Sequence, residues 1–526
     1  MHGKNQIGFA LSSNGELMQK AVNPATGQFL SGDFINATDE EIELTMERAT
    51  AAFAVYNKKS AEEKALFLEA IADEILALGD ALVRRASSET ALPEARIIGE
   101  RGRTMGQLKA FASHLREGSW KEARIDLAQP DRQPLPKPDI RKMLVPVGPV
   151  VVFAASNFPL AFSTAGGDTA SALAAGNPVI VKAHGAHLGT SQLVADAICR
   201  AAKKTGMPDG VFSNLNGKGY QLGTALVKHP KTKSVAFTGS LSGGMALHKT
   251  AQERAEPIPV FAEMGSINPV VMLPKKMDAE AVQLADVYAG SITLGVGQFC
   301  TNPGLIVALD SPSLNDFIAQ LSLSIKKILP ASMLNENVYK GYVAARETAL
   351  AQSGVTLEAE AEGDTVNFEG RPTVTSVSGE GFLKNTTLQE EVFGPYSLVI
   401  RCSNKEELLE VLQSMGGQLT STVMATEADV AEHAAVIEQL GNISGRLIFN
   451  GVPTGVEVCS AMQHGGPFPA STDGRFTSVG TDAILRFVRP LSYQNCPQSF
   501  LPEELKDNNP LQVWRVVDGV RNNGPI

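Results

Sequence analysis

The segment GVGQFCTNPG, residues 295–304, carries one of only five cysteines in 526 residues, Cys300. Glycines before it and Asn-Pro-Gly after it mark a loop at the start of a helix or strand. Backbone N–H groups at such a junction lower a thiol's pKa and steady an oxyanion, which suits a nucleophile. The other reading of a free cysteine is a small buried hydrophobe. A nucleophilic cysteine normally has a histidine base beside it. None of His2, His114, His184, His187, His229, His248, His433 and His464 stands in a protease-like setting, so carboxylates come next. Glu263 closes the apolar run IPVFAEMG, with Gly265 two residues on. It is either a base facing a crevice or a salt-bridged strand end. Asn157, in AASNFPLAF, either donates its amide to an oxyanion or caps the turn before Pro159. FTGSLSGG puts Gly239 and Gly244 between a strand and a helix, a turn suited to a phosphate, although it is not GxGxxG. Lys182 ends VIVK, placed for a ribose or phosphate or simply exposed, and EEVFGP sets Glu391 and Phe393 before a Gly-Pro turn.

The elements that must position these residues follow from periodicity. In SAEEKALFLEAIADEILALGDALVRR, Ser60 and Glu63 form a capping box, and Phe67, Ile71, Ile75 and Leu78 share one helix face. A second helix is expected over 95–115. Residues 127–142, LAQPDRQPLPKPDIRK, hold four prolines and read as a linker or extended arm. From Leu144 apolar β-branched runs alternate with helices expected at 188–205 and 242–252, which implies a parallel sheet covered on both faces. Such sheets bind ligands at the carboxyl ends of their strands, where strand order reverses. A second α/β region follows, with helices expected at 279–293, 313–328, 405–415 and 428–440. The uncharged run 143–167 is interrupted by Pro146, Gly148, Pro149, Asn157 and Pro159, so it reads as buried strands and a turn rather than a membrane helix. The tail after Pro490 is expected to be an arm docked on another subunit.

Length alone predicts two or three domains. A net charge of −10 argues against nucleic-acid and acidic-membrane partners. The five cysteines are far apart with no CxxC pair, so neither a disulfide framework nor a metal site is expected, and a reducing, cytoplasmic setting fits. The N-terminus carries no apolar core of signal-peptide length.

ASNFP, VIVKA, FTGS, AEMGSINP, GQFC and EEVFGP stand in the order and approximate spacing of the aldehyde dehydrogenase superfamily, and the resemblance runs from Asn23 to about Pro490. It implies an α/β fold of two doubly wound parallel-sheet domains plus a small oligomerisation arm. Residues 1–126 and 143–262 would bind the cofactor, 263–470 would form the catalytic domain, and 127–142 with 471–526 the arm and tail. Residue by residue, it implies Cys300 as the thiol, Glu263 as the general base and Asn157 as the oxyanion donor, partnered by the Cys300 N–H. Lys182 matches the lysine on the adenine ribose. Thr238, Gly239, Ser240 and Gly244 match the cofactor loop, Gly265 follows the base, and Glu391 with Phe393 match the nicotinamide side. The chemistry implied is attack of the thiolate on an aldehyde, hydride transfer, and hydrolysis of the thioester by water activated at Glu263. A carboxylate at that place favours hydrolysis over acyl transfer to coenzyme A.

The chain also departs from the family pattern. Gly185 stands where a glutamate often binds the ribose 2′-hydroxyl, which favours NADP without excluding NAD. Ser266 replaces a glycine, Phe299 precedes the thiol, and HGGPFPASTDGRFTSVGTDAILRFVRPLSYQNCP replaces the usual C-terminal glycine-rich segment. That segment, with GQFCTNPG, resembles the branch that holds α-ketoglutarate semialdehyde (2,5-dioxopentanoate) dehydrogenases and enzymes for fatty aldehydes. A carboxylated aldehyde needs a cation for its far end, with Arg103 and Arg475 as candidates, each also readable as a surface ion pair. Phe162 and Phe468 are candidate tunnel walls. The resemblance implies a small-molecule partner and a homodimer or homotetramer. Competing readings are a broad-range or fatty aldehyde dehydrogenase, a cofactor-independent thiol esterase or acyltransferase on Cys300, and a non-catalytic scaffold.

Overall fold

Val150–Phe153 is buried along its whole length, as a β-branched strand covered on both faces should be. In the computed structural model, which describes residues 1–526, it sits inside a seven-stranded sheet. Val260–Glu263, Ser234–Thr238, Val150–Phe153, Val179–Lys182 and Phe212–Leu215 lie side by side in that order, all parallel. Asn5–Ile7 and Ala10–Ser12 extend the far edge antiparallel. The chain starts this parallel set in the middle, builds outwards to Phe212–Leu215, then crosses back to Ser234–Thr238. Strand order therefore reverses between Val150–Phe153 and Ser234–Thr238, and a crevice opens at their carboxyl ends.

Helices Ala61–Ala77 and Glu94–Glu117 pack on each other and on the helices Gly167–Ala175 and Leu188–Lys204 that cover this sheet, through Phe67, Ile71, Ile75, Leu108 and Phe111, all buried. The expected capping box forms: Ser60 accepts from the Glu63 N–H and the Glu63 carboxylate accepts from the Ser60 N–H. The single long helix expected there is interrupted. Gly79 adopts φ +55°, and a new helix, Gly79–Thr90, starts at that bend.

The second sheet runs Thr356–Glu360, Thr373–Ser378, Tyr396–Cys402, Leu305–Leu309, Val270–Met272, Gln418–Met424, Ser444–Phe449, parallel except at its first edge. Pro274–Thr293 and Pro312–Lys326 fill one face, and Lys405–Gln413 with Ala434–Ile443 the other. The helix expected at 428–440 is two, Glu427–Glu432 and Ala434–Ile443, broken at His433.

A separate five-stranded sheet joins Val488–Gln494, Ile140–Pro146, Arg124–Asp126, Arg515–Val517 and Val520–Asn522. Two bounds differ from expectation. Ile140–Pro146 belongs wholly to this sheet, because its burial alternates like that of a one-sided antiparallel strand. Residues 471–487 do not join it: Thr472 N–H donates to Ala262 O at 3.0 Å, and Thr481–Phe487 packs on helix Gly167–Ala175. No helix is long and apolar enough to cross a membrane.

Candidate active site

Lys182, Thr238 and Glu263 are the last residues of three parallel strands of one sheet, the first two flanking Val150–Phe153, so the fold delivers all three to the crevice. Glu263 is fixed from the far side by the returning chain, which bridges it at Ser471, while Met264 N–H donates to Ala470 O at 2.8 Å. Cys300 arrives from the other domain. The turn before it runs left-handed through Gly295, Val296 and Gly297, at φ +56°, +58° and +64°. Such a value in a β-branched residue like Val296 holds roughly 1–3 kcal/mol of strain. Gly297 has no alternative, since a Cβ there would meet Gly394 O at 2.2 Å. After the turn, Asn268 Nδ2 donates to Cys300 O at 2.8 Å and to Asn302 O at 2.9 Å, pinning the backbone around the thiol.

The side chains then meet. Cys300 Sγ lies 3.4 Å from His464 Nε2, and the same nitrogen lies 3.0 Å from Glu263 Oε1. Ser478 donates to the other carboxylate oxygen of Glu263 at 2.5 Å. Glu263, His464 and Ser478 are buried. Burial pushes the Cys300 thiol well up from its usual range, the Glu263 charge adds to this, and Arg103 opposes it. At Glu263, burial works upwards, but His464 and the hydrogen bonds from its neighbours outweigh it and hold the carboxyl below its ordinary value. Asn157 Nδ2 donates to Gln298 O at 3.2 Å, which ties it to the loop two residues before the thiol and leaves its second N–H for another acceptor.

His464 is the residue that sequence reasoning missed. It lies 164 positions from Cys300, and its only local signal was its place at the head of the distinctive HGGPFP segment. His464 N–H donates to Thr477 Oγ1 and Ser478 N–H to His464 O, so a short pairing of two chain segments sets the ring. No metal-ligand spacing runs along the chain, and no metal site was expected. The fold nonetheless brings one sulfur, one nitrogen and one carboxylate oxygen within 4.8 Å of one another.

A cavity of about 370 Å³ leads to Cys300 and is lined by Arg96, Arg103, Phe158, Phe162, Phe299 and His464, among others. Arg103 stands over the Phe162 ring and donates through Nη1 to Val456 O at 2.7 Å. Its Nε and Nη2 are buried without partners. Arg96 is already neutralised by Glu100 at 2.8 Å. The other two expected substrate contacts are corrected. Arg475 is exposed and paired with Asp473, away from the cavity lining, because the turn at 471–476 points it outwards. Phe468 is 61% exposed and lines no part of this cavity.

The crevice suits a dinucleotide. Thr238 Oγ1 is buried with no partner, Gly239 and Ser240 are exposed, and Ser240 caps helix Leu241–Gln252 by accepting from Gly243 N–H. Gly244 lets that helix approach the sheet, since a Cβ there would meet Met264 Cγ and Sδ at 2.7 Å. Lys182 is half-buried, and burial lowers its pKa. Gly185 is exposed with space beside it, a Cβ meeting only Gln19 Oε1 at 3.7 Å. Across the crevice, a Cβ at Gly265 would sit 2.6 Å from Glu391 Oε2, so this glycine admits the glutamate. Burial pushes Glu391 up to about 7. Phe393 is half-buried two residues on.

Residues 11–488 match the aldehyde dehydrogenase family. The chain belongs to that family. It is 49% identical over 501 residues to "Alpha-ketoglutaric semialdehyde dehydrogenase 2" of Azospirillum brasilense, covering 95% of each chain. It is 45% identical over 488 residues to "Alpha-ketoglutaric semialdehyde dehydrogenase" of Acinetobacter baylyi, covering 93% of this chain and 92% of that one. Among solved structures, aldehyde dehydrogenase C from Pseudomonas syringae, a cysteine-to-alanine mutant in complex with NAD+ and octanal, superposes with a TM-score of 0.80 at 20% identity, over 94% of this chain and 97% of that one. A 1-pyrroline-5-carboxylate dehydrogenase from Thermus with bound NAD does so with a TM-score of 0.78 at 21% identity, over 94% and 92%. These likenesses show the two-domain α/β aldehyde dehydrogenase fold. This aldehyde dehydrogenase is therefore an oxidoreductase that acts on aldehydes with NAD(P).

Proposed function

We propose that this aldehyde dehydrogenase oxidises α-ketoglutarate semialdehyde (2,5-dioxopentanoate) to 2-oxoglutarate, works with NADP as well as NAD, and assembles as a homodimer or homotetramer in the cytoplasm. One observation carries the substrate: Arg103 offers a buried, unpartnered Nε–Nη2 edge in the same cavity as the Cys300 thiol. That edge of a guanidinium grips a carboxylate with two parallel hydrogen bonds. The naming of the relatives that share 45–49% of its residues supports the same choice.

Cys300 Sγ adds to the aldehyde carbon, and the acceptor within reach of its proton is His464 Nε2 at 3.4 Å, next to Glu263. The oxyanion that forms takes the free N–H of Asn157 and the backbone N–H of Cys300; one such donor is worth roughly 3 kcal/mol in the transition state. Lys182, Thr238, Ser240 and Glu391 would hold NAD(P), which would supply the hydride acceptor, while Cys300 keeps the acyl group as a thioester. Glu263, held in orientation by Ser478, takes a proton from water as the water attacks the thioester. The acid departs and the thiol is restored. Gly185 contributes no carboxylate beside the adenosine ribose, so nothing there repels a 2′-phosphate.

A rate panel tests this. 2,5-Dioxopentanoate, succinate semialdehyde, glycolaldehyde and a long alkanal are each assayed with both cofactors. Arg103→Met is expected to raise KM for 2,5-dioxopentanoate about 10–100-fold, the ~1.5–3 kcal/mol of a hydrogen bond to a charged group, and to leave the alkanal nearly unchanged. Arg475→Met should alter neither. Equal effects of Arg103→Met on all substrates would remove the substrate assignment. Gly185→Glu is expected to depress kcat/KM for NADP selectively, and an unchanged NADP-to-NAD ratio would remove the cofactor reading.

A further inference from the structure

Three unlike donor atoms converge at the inner end of the cavity: a thiol sulfur and an imidazole nitrogen from Cys300 and His464, which line it, and a carboxylate oxygen from Glu263 behind them. Tetrahedral zinc, with bonds of roughly 2.3 Å to sulfur and 2.0–2.1 Å to nitrogen and oxygen, sets neighbouring ligand atoms about 3.3–3.6 Å apart. The observed sulfur–nitrogen and nitrogen–oxygen separations are 3.4 Å and 3.0 Å. The sulfur and the carboxylate oxygen lie within 4.8 Å of each other, so the thiol and the carboxylate close towards one another to complete the fit. The unpartnered oxygen is a second, independent observation. Glu263 is 5% exposed, Ser478 occupies its Oε2, and its Oε1, the atom facing His464, has no donor in hydrogen-bonding geometry. A buried carboxylate oxygen in that condition is satisfied by a cation, either the protonated imidazole 3.0 Å away or a metal ion held between the two.

We propose that Zn²⁺ binds this aldehyde dehydrogenase through Cys300 Sγ, His464 Nε2 and Glu263 Oε1, with water from the cavity as the fourth ligand, and that binding reversibly halts oxidation. Thiolate and imidazole select zinc over magnesium and calcium. The thiol releases one proton to solvent as the Zn–S bond forms, the carboxylate binds ionised, and the imidazole keeps its proton on Nδ1. Nucleophile and base are then tied to one ion, and neither can act. His464 Nδ1 is buried without a partner. Lacking the second-shell acceptor that strengthens histidine ligands, typically by about 10–100-fold, the site suits reversible rather than structural occupancy. The inference uses the donor set alone, so it stands or falls apart from the choice of aldehyde.

The test uses the full-length, cofactor-free protein. Calorimetric titration with Zn²⁺ should give one site per chain. One equivalent should slow alkylation of Cys300 by iodoacetamide at least about tenfold, read by peptide mass, and a chelator should restore both alkylation and turnover. Co²⁺ should produce a thiolate-to-cobalt charge-transfer band, and Mg²⁺ should neither protect Cys300 nor displace cobalt. His464→Asn, checked for wild-type circular dichroism, should weaken Zn²⁺ binding more than about 100-fold, beyond the loss of a mere supporting partner. Glu263→Gln gives an independent second variant. Cys459→Ser and Cys496→Ser should retain full protection. No charge-transfer band in the wild type, or equal protection in wild type and His464→Asn, overturns the proposal.

Discussion

Cys300, half-buried at the end of the cavity, resists ionisation first because its surroundings desolvate it and second because Glu263 faces it. The two effects separate on mutation. Glu263→Gln keeps the burial and removes the charge, so the thiol's pKa falls and alkylation by iodoacetamide at neutral pH speeds up. The same variant loses the base for the second half of the reaction. With aldehyde and cofactor it should accumulate an acyl adduct on Cys300, visible by intact mass, while steady turnover drops about 100-fold or more. A variant with normal turnover and no adduct would show that Glu263 is not the base. Glu391 gives a pH prediction of its own. Burial raises its carboxyl to about 7, so it is neutral below that pH and a carboxylate above it. If it holds ribose hydroxyls, the charged form grips more tightly, by the ~1 kcal/mol that separates charge-assisted from neutral hydrogen bonds. The cofactor KM should fall about fivefold between roughly pH 6 and pH 8 in the wild type and stay flat in Glu391→Gln. At this scale the sequence was readable where a side chain ends a strand, as Glu263 does, and unreadable where contact depends on closure of distant loops, as with His464.

Elements carry the next level of control. Strand ends were legible because apolar β-branched runs stop sharply at them, and the helix expected over 95–115 forms as Glu94–Glu117, where Arg96, Glu100 and Arg103 fall on one face at 3.6-residue spacing. The loops were not. The stretch around Arg475 and Phe468 has no period, so nothing local tells which way a side chain points; the arginine turns to Asp473 and the phenylalanine to solvent. Nor could periodicity tell that Ile140–Pro146 leaves the central sheet, because an apolar strand reads alike in either place. Helix Leu241–Gln252 gives a prediction at this scale. Its contact with the sheet runs through Gly244, where a Cβ would lie 2.7 Å from Met264 and 3.2 Å from Ala262. Gly244→Val should lever the helix outwards, destabilise the protein by about 1–3 kcal/mol, and weaken cofactor binding because the turn at Thr238 and Ser240 moves with it. Scanning fluorimetry and a cofactor fluorescence titration read the two effects. A variant with wild-type Tm and cofactor Kd would mean that this close packing sets neither.

Across the whole molecule, the site is assembled from chain segments that meet only in the finished fold: a strand end of one sheet, a loop of the other domain, and the returning segment around His464 and Ser478. The arm lies outside this assembly and is tied together by two buried arginines, Arg141, which donates to Leu505 O and Asp507, and Arg515. Arg515 is 1% exposed and donates to the carbonyls of Glu504, Lys506, Asp507 and Gly524, so it ties the end of the chain to the turn before it. The strand it opens, Arg515–Val517, pairs with Arg124–Asp126, and Leu135, Phe500, Trp514 and Val520 are left exposed around that sheet. A methionine at 515 fills similar space but donates nothing, and each buried carbonyl left without a donor costs about 1–3 kcal/mol. The arm should fray while the distant catalytic groups keep their geometry. If the arm joins subunits, Arg515→Met will shift the mass seen by light scattering towards the single chain at low protein concentration, with kcat/KM per chain largely kept in whatever assembly survives. An unchanged mass across the dilution series, in a variant whose tail has become protease-sensitive, would take the arm out of the subunit contact and move the search to the open edge of the catalytic sheet at Ser444–Phe449.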